Sequence, residues 1–111
     1  AYGIEDCGKP KVKPDRIVLF CADAGAYING FDWNDWGGKK SHGTGTIHVN
    51  DCDPICLGGT YHDYPVEVTL KKLKRTSCGG KRVPLYRKID IDFPQGKPGS
   101  VGNLPGRLYC Y

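Results

Sequence analysis

The stretch Phe31-Asp-Trp-Asn-Asp-Trp36 sets aromatic rings beside carboxylates and an amide. That is the chemistry of a sugar-binding surface, where ring faces meet C–H groups and polar side chains meet hydroxyls. A small domain with few large apolar residues also needs such rings in its core. Trp33 is therefore assigned to the core, while Trp36 stays a candidate for a ligand surface. Asp32, Asn34 and Asp35, followed later by Asn50, Asp51 and Asp53, offer the oxygens that calcium takes. Trp36 breaks the alternation, however, and the two glutamates, Glu5 and Glu67, lie at the wrong distance. Asx turns explain these residues more simply. No metal and no cofactor is expected.

His42, His48 and His62 are the three imidazoles. His42 and His48 have the same parity, but on one strand they would stand about 20 Å apart, too far to share a zinc ion. Solvent-facing strand histidines are the simpler reading. Ser41 and His42 are chain neighbours, which does not make a triad, and no Gly-x-Ser-x-Gly elbow occurs. Asp32, Asp35, Asp51 and Asp63 have no spacing that would face two acids across a cleft, as glycoside hydrolysis needs. No catalytic residue is assigned, and the chain is not expected to be an enzyme.

The strongest surface signal is positive charge. Residues 1–70 hold 6 Lys and Arg against 10 Asp and Glu, whereas residues 71–111 hold 10 against 2. The two halves therefore carry −4 and +8. From Lys71 to Lys88 there are cations at 71, 72, 74, 75, 81, 82, 87 and 88, with no acid among them. Lys71, Lys74, Arg75, Lys81 and Arg82, with Trp36, form the expected ligand surface. Its partner would be an anionic cell-wall polymer or polysaccharide, or an acidic protein surface. Solubility, or protection of an exposed edge strand from aggregation, would explain the same charges without a ligand. Nucleic acid is not expected, because no aromatic residues interleave the cluster to stack bases. A different class of function rests on Asp53, Pro54 and Ile55. Flanked by Cys52 and Cys56, they would form a rigid contact loop, as in a protease inhibitor or a small antibacterial toxin.

These groups must be held by strands. Period-two alternation broken by Gly, Pro and Asn-Asp turns recurs along the chain, and no helical stripe is found. Arg16–Cys21 is an apolar run expected to be a central strand. Phe31 and Trp33 alternate with Asp32 and Asn34; Ile47 and Val49 alternate with Thr44, Thr46 and His48. Tyr64, Val66, Val68 and Leu70 share one face. Val83, Leu85, Arg87, Ile89, Ile91 and Phe93 share another, opposite Tyr86, Lys88, Asp90 and Asp92. Gly79-Gly80 is the turn of a hairpin linking the two longest strands, which would lay the two basic clusters side by side. Gly96 to Gly106 reads as an irregular loop, and Arg107 to Tyr111 as a last short strand. The fold expected is an all-β antiparallel sandwich or small barrel of about six strands.

Cys21-Ala-Asp-Ala, Trp33-Asn-Asp-Trp36-Gly, Gly43-Thr-Gly-Thr, Asn50-Asp-Cys52-Asp-Pro-Ile-Cys56, Gly58 and Tyr64-Pro-Val66 come in a distinctive order. Over about residues 16–70 this string resembles a family of small secreted actinobacterial proteins of uncharacterised function. The resemblance implies secretion and supports a Cys52–Cys56 bridge. It brings no activity or catalytic residue with it.

Six cysteines in 111 residues, an even number with wide spacing, read as a disulfide framework in an exported chain. Six cysteines allow about fifteen connectivities. The nearest-neighbour set, Cys7–Cys21, Cys52–Cys56 and Cys78–Cys110, is the one expected. The length suits a single domain over residues 1–111 with one modest core. No apolar run approaches the length of a membrane span. Any signal peptide would already have been removed, with Ala1 on the mature side of the cut. The sequence thus predicts a secreted monomer that binds rather than catalyses, most simply at the cell envelope.

Overall fold

A computed structural model describes residues 1–5, 8–19, 26–50, 58–97, 104 and 106–108. The described residues form seven strands: β1 (Gly3–Glu5), β2 (Lys9–Lys11), β3 (Arg16–Val18), β4 (Ala26–Trp33), β5 (Ser41–Asn50), β6 (Tyr61–Cys78) and β7 (Lys81–Asp92). The protein is all-β, and no helix occurs among the described residues. Accordingly, no helix there is long and apolar enough to cross a membrane. The larger sheet has five strands in chain order, β3-β4-β5-β6-β7, each antiparallel to the next. It curls into a half-barrel, and β1 and β2 form a separate two-stranded sheet. The expected sandwich or barrel of about six strands is thus an open half-barrel plus a hairpin. A closed barrel would need β7 to pair with β3, but β1 touches both instead. Tyr2 bridges to Leu85 of β7, and Ile4 is buried in the core.

The alternation predicted along β6 holds from Tyr64 to Leu70. Val66, Val68 and Leu70 are fully buried, and they face Gly45, Gly43 and Ser41 across β5. Ile17, Ile28 and Ile47 form a cross-strand row on the same face, each wholly buried. Burial of each such side chain contributes about 1.5–3 kcal/mol of hydrophobic stabilisation. The Arg16–Cys21 run was expected to be central. Its described part, β3, is instead the edge of the sheet and, among the described residues, pairs with β4 alone. Its fully buried residue, Ile17, points into the core beside Ile28, and β1 lies against the strand.

Two positions reset which side chains point inward. At Gly30 (φ 64°) the β4–β5 register slips by one residue between Asn29 and Asp32. This bulge changes the inward set from Ala26 and Ile28 to Phe31 and Trp33. At Lys72 (φ 58°) β6 rolls without losing register. Lys71 still faces Lys88 and Leu73 still faces Tyr86, but no Lys72–Arg87 pair lies between them. Leu70 is buried, then Lys72 and Lys74 are exposed while Leu73 is half-buried. Tyr86, expected on the outer face with Lys88 and Asp90, is 0% exposed. The Gly79-Gly80 turn is as expected: φ is 62° and 81°, the left-handed pair that a two-residue hairpin prefers.

Cys78 is buried at the end of β6. The other five cysteines, Asp51, the Asp53-Pro54-Ile55 loop and most of the last expected strand lie outside the described residues. Arg107 makes a single bridge to Lys88.

Candidate functional site

The β6–β7 hairpin brings the two basic clusters together as expected, and the roll at Lys72 decides which cations share a space. Lys72, Lys74, Arg87, Lys88 and Arg107 line one cavity of about 390 Å³, within the size range of small-ligand sites. No carboxylate lines it among the described residues. Arg107 reaches the site because residues 106–108 run along the outer edge of β7. There the Ile89 N–H donates to the Gly106 carbonyl (3.0 Å) and the Leu108 N–H to the Arg87 carbonyl (2.9 Å).

Arg87 is the best-held cation of the five. Its Nη1 donates to Thr76 Oγ1 (3.3 Å), and that hydroxyl donates to the Lys74 carbonyl (3.1 Å). Its Nε is buried and has no hydrogen-bond partner among the described residues. A buried donor left unpaired costs about 1–3 kcal/mol. The charge of the same guanidinium belongs to the cavity lining, where an oxyanion would balance it. Guanidinium also suits oxyanions geometrically, since adjacent N–H groups can bind two oxygens side by side.

A second cavity, about 480 Å³, is lined by Lys39, Lys40, Lys71, Lys72 and Leu73. Lys72 is common to both. Lys71 is partly neutralised by Asp90, at 2.6 Å. Lys39 and Lys40 come from the β4–β5 connection, which a relay of hydrogen bonds fixes onto β7. The Gly37 N–H donates to Ser41 Oγ (3.0 Å), and Ser41 Oγ and Tyr86 Oη lie 2.7 Å apart. The Tyr86 hydroxyl donates to the Gly38 carbonyl, so the Ser41 hydroxyl supplies the proton between them.

Of the residues singled out in the sequence, Lys74 lines the first cavity and Lys71 the second. Arg75, Lys81 and Arg82 are exposed nearer the hairpin tip and line neither. Trp36 is half-buried. Its indole N–H donates to the Ala1 carbonyl (3.2 Å), and its ring stands edge-on to both Trp33 and Tyr86. Trp33 is packed as expected: its N–H donates to the Pro14 carbonyl (3.0 Å) and its ring lies against Gly43. A methyl group on Gly43 would come within 2.7 Å of that indole. Sequence reasoning missed Lys39 and Lys40, which adjoin the hairpin because they lead into β5, whose first residue Ser41 pairs with Leu70 of β6. Arg87 and Lys88 were visible in the charge run, but the alternation placed Arg87 among apolar neighbours.

The histidines are engaged locally. His48 spans three strands: its Nδ1 lies 2.6 Å from Asp63 Oδ1 and its Nε2 2.7 Å from Asn29 Oδ1. Its ring stacks on Tyr27 at 4.7 Å. His42 meets Asp35 through both its backbone N–H (3.0 Å) and its ring. Among the described residues, no three His, Cys, Asp or Glu side chains converge as a metal site would require. No protein-family model, curated protein or solved structure matches this chain.

Proposed function

We propose that this is a secreted, non-catalytic binding protein that holds an anionic polymer of the cell envelope against its β6–β7 hairpin. The reading rests on one observation: five cations line a single cavity that no described carboxylate lines. A solubility patch would spread its charges into water. Here, with a guanidinium held by Thr76, they converge instead. The even number of cysteines supports an extracellular setting, with the domain stapled by Cys7–Cys21, Cys52–Cys56 and Cys78–Cys110 and acting as a monomer.

Cosedimentation with purified anionic wall polymer, at low and at high salt, tests this. The wild-type protein should bind at low salt and release as screening rises. Replacing Lys74 and Lys88 together by glutamate should weaken binding about 100-fold, since like charges facing across an interface cost several kcal/mol. Replacing Lys81 and Arg82 the same way should matter much less, because they line neither cavity. Binding that survives the Lys74→Glu/Lys88→Glu change rules out this groove.

A further inference from the structure

We infer that the two cationic cavities form one track, and that its ligand is a linear polymer carrying phosphate groups. This deepens the groove reading above and rests on it. Lys72 forms a wall of both cavities, so a chain leaving the first past Lys72 enters the second. The far end of the second is furnished by Lys39 and Lys40, from a different part of the chain. Two independent segments thus supply cations to a continuous path, and the Tyr86 relay fixes one segment to the other. A single small anion would need only the first cavity. An extended polyanion uses both.

The choice of phosphate follows from Arg87. With Nη1 committed to Thr76 and Nε buried, Arg87 cannot offer the side-on pair of N–H donors that clamps a carboxylate. Lysines around it present compact point charges of the kind that complement phosphate oxygens.

Lys72 is the key residue of the track because its backbone is strained. A left-handed conformation disfavours every residue but glycine, with Asn and Asp the mildest exceptions. Such strain persists where the surrounding structure imposes it, and functional sites are where it collects. At Lys72 it turns Lys72 and Lys74 outward and Leu73 toward the interior, opposite Tyr86. One backbone outlier therefore both opens the cationic path and buries the tyrosine that holds its far end.

The experiment titrates the protein with inorganic polyphosphate of short and of long chain length, and with a carboxylate polysaccharide of matched charge. The long chain should bind at least tenfold more tightly than the short one, because the second cavity then acts at high effective concentration. Lys39→Ala/Lys40→Ala should abolish that length advantage, with a far smaller loss of short-chain affinity. This control separates a true second subsite from the statistical gain of any longer polymer. Lys72→Gly should weaken long-chain binding at least fivefold while raising the melting temperature.

Equal affinity for both lengths, or a length advantage that survives Lys39→Ala/Lys40→Ala, overturns the track and leaves the groove reading standing. Preference for the carboxylate polymer overturns the phosphate assignment. Failure of any polyanion to bind sinks the groove reading itself.

Discussion

Gly30 and Lys72 solve the same geometric problem with different residues. Each has a positive φ within a strand, and at each the inward-facing set of side chains changes. At Gly30 the change accompanies a slip in register, and a methyl group there would meet nothing within 4 Å. Glycine fits because nothing but backbone freedom is needed. At Lys72 the register is kept and the residue carries a long cationic side chain. Lys13 (φ 50°) is a second lysine with a left-handed backbone, but it sits in the turn before Pro14, outside any strand. Glycine at 72 would give the same roll more cheaply. Lysine at 72 adds what glycine cannot, a cationic side chain on the wall of both cavities.

That contrast can be broken from several directions. Tyr86→Ala should have the largest effect on stability, about 4 kcal/mol, because it empties a fully buried aromatic site and removes the relay. A shift in denaturant midpoint much smaller than that would mean the roll at Lys72 does not serve to bury Tyr86. Gly30→Lys should cost about 1–2 kcal/mol, the penalty for a left-handed side chain, and add nothing to polyanion binding. If binding rose instead, position alone would not distinguish the two sites. Lys72→Gly should gain about 1 kcal/mol, read as a higher melting temperature, as relief of strain outweighs the entropy of glycine in a strand. A loss of stability would show that the lysine stem, rather than its charge, is what the fold requires. Arg87→Met should shift stability by no more than about 0.5 kcal/mol while weakening binding, since the unpaired Nε disappears with the charge.

Much of this was readable in the chain. Alternation from Tyr64 to Leu70 gave the inner face of β6, and Gly79-Gly80 gave the hairpin turn, because both depend on local patterns. The pairing of the basic clusters followed from that turn. The position of Tyr86 did not. Alternation put it beside Lys88 and Asp90, and nothing about a lysine at 72 announces a left-handed backbone. Gly30 was a better signal, since a glycine inside a strand pattern suggests a bulge. Lys39 and Lys40 were invisible for another reason: they come beside β6 through the long-range pairing of Ser41 with Leu70, and the relay to Tyr86 joins residues 45 or more positions apart. His48 illustrates the same limit. Its partners Asn29 and Asp63 lie 19 and 15 residues away and come together only through the register of three strands. The apolar run at Arg16–Cys21 pointed to a central place, because an edge strand can bury its inner face, as Ile17 does, as fully as a central one.

The aromatic contacts at the centre of the molecule have an optical consequence. Trp33 and Trp36 are the only two tryptophans, their ring centres are 4.8 Å apart, and Trp36 stands 5.6 Å from Tyr86. Transition dipoles this close couple, so the pair should give an exciton signature in circular dichroism rather than the sum of two isolated indoles. Tyr86 belongs to the relay that fixes Lys39 and Lys40 to the hairpin. The protein therefore contains its own chromophore for that junction, and its spectrum can follow the joining of the two segments without any label.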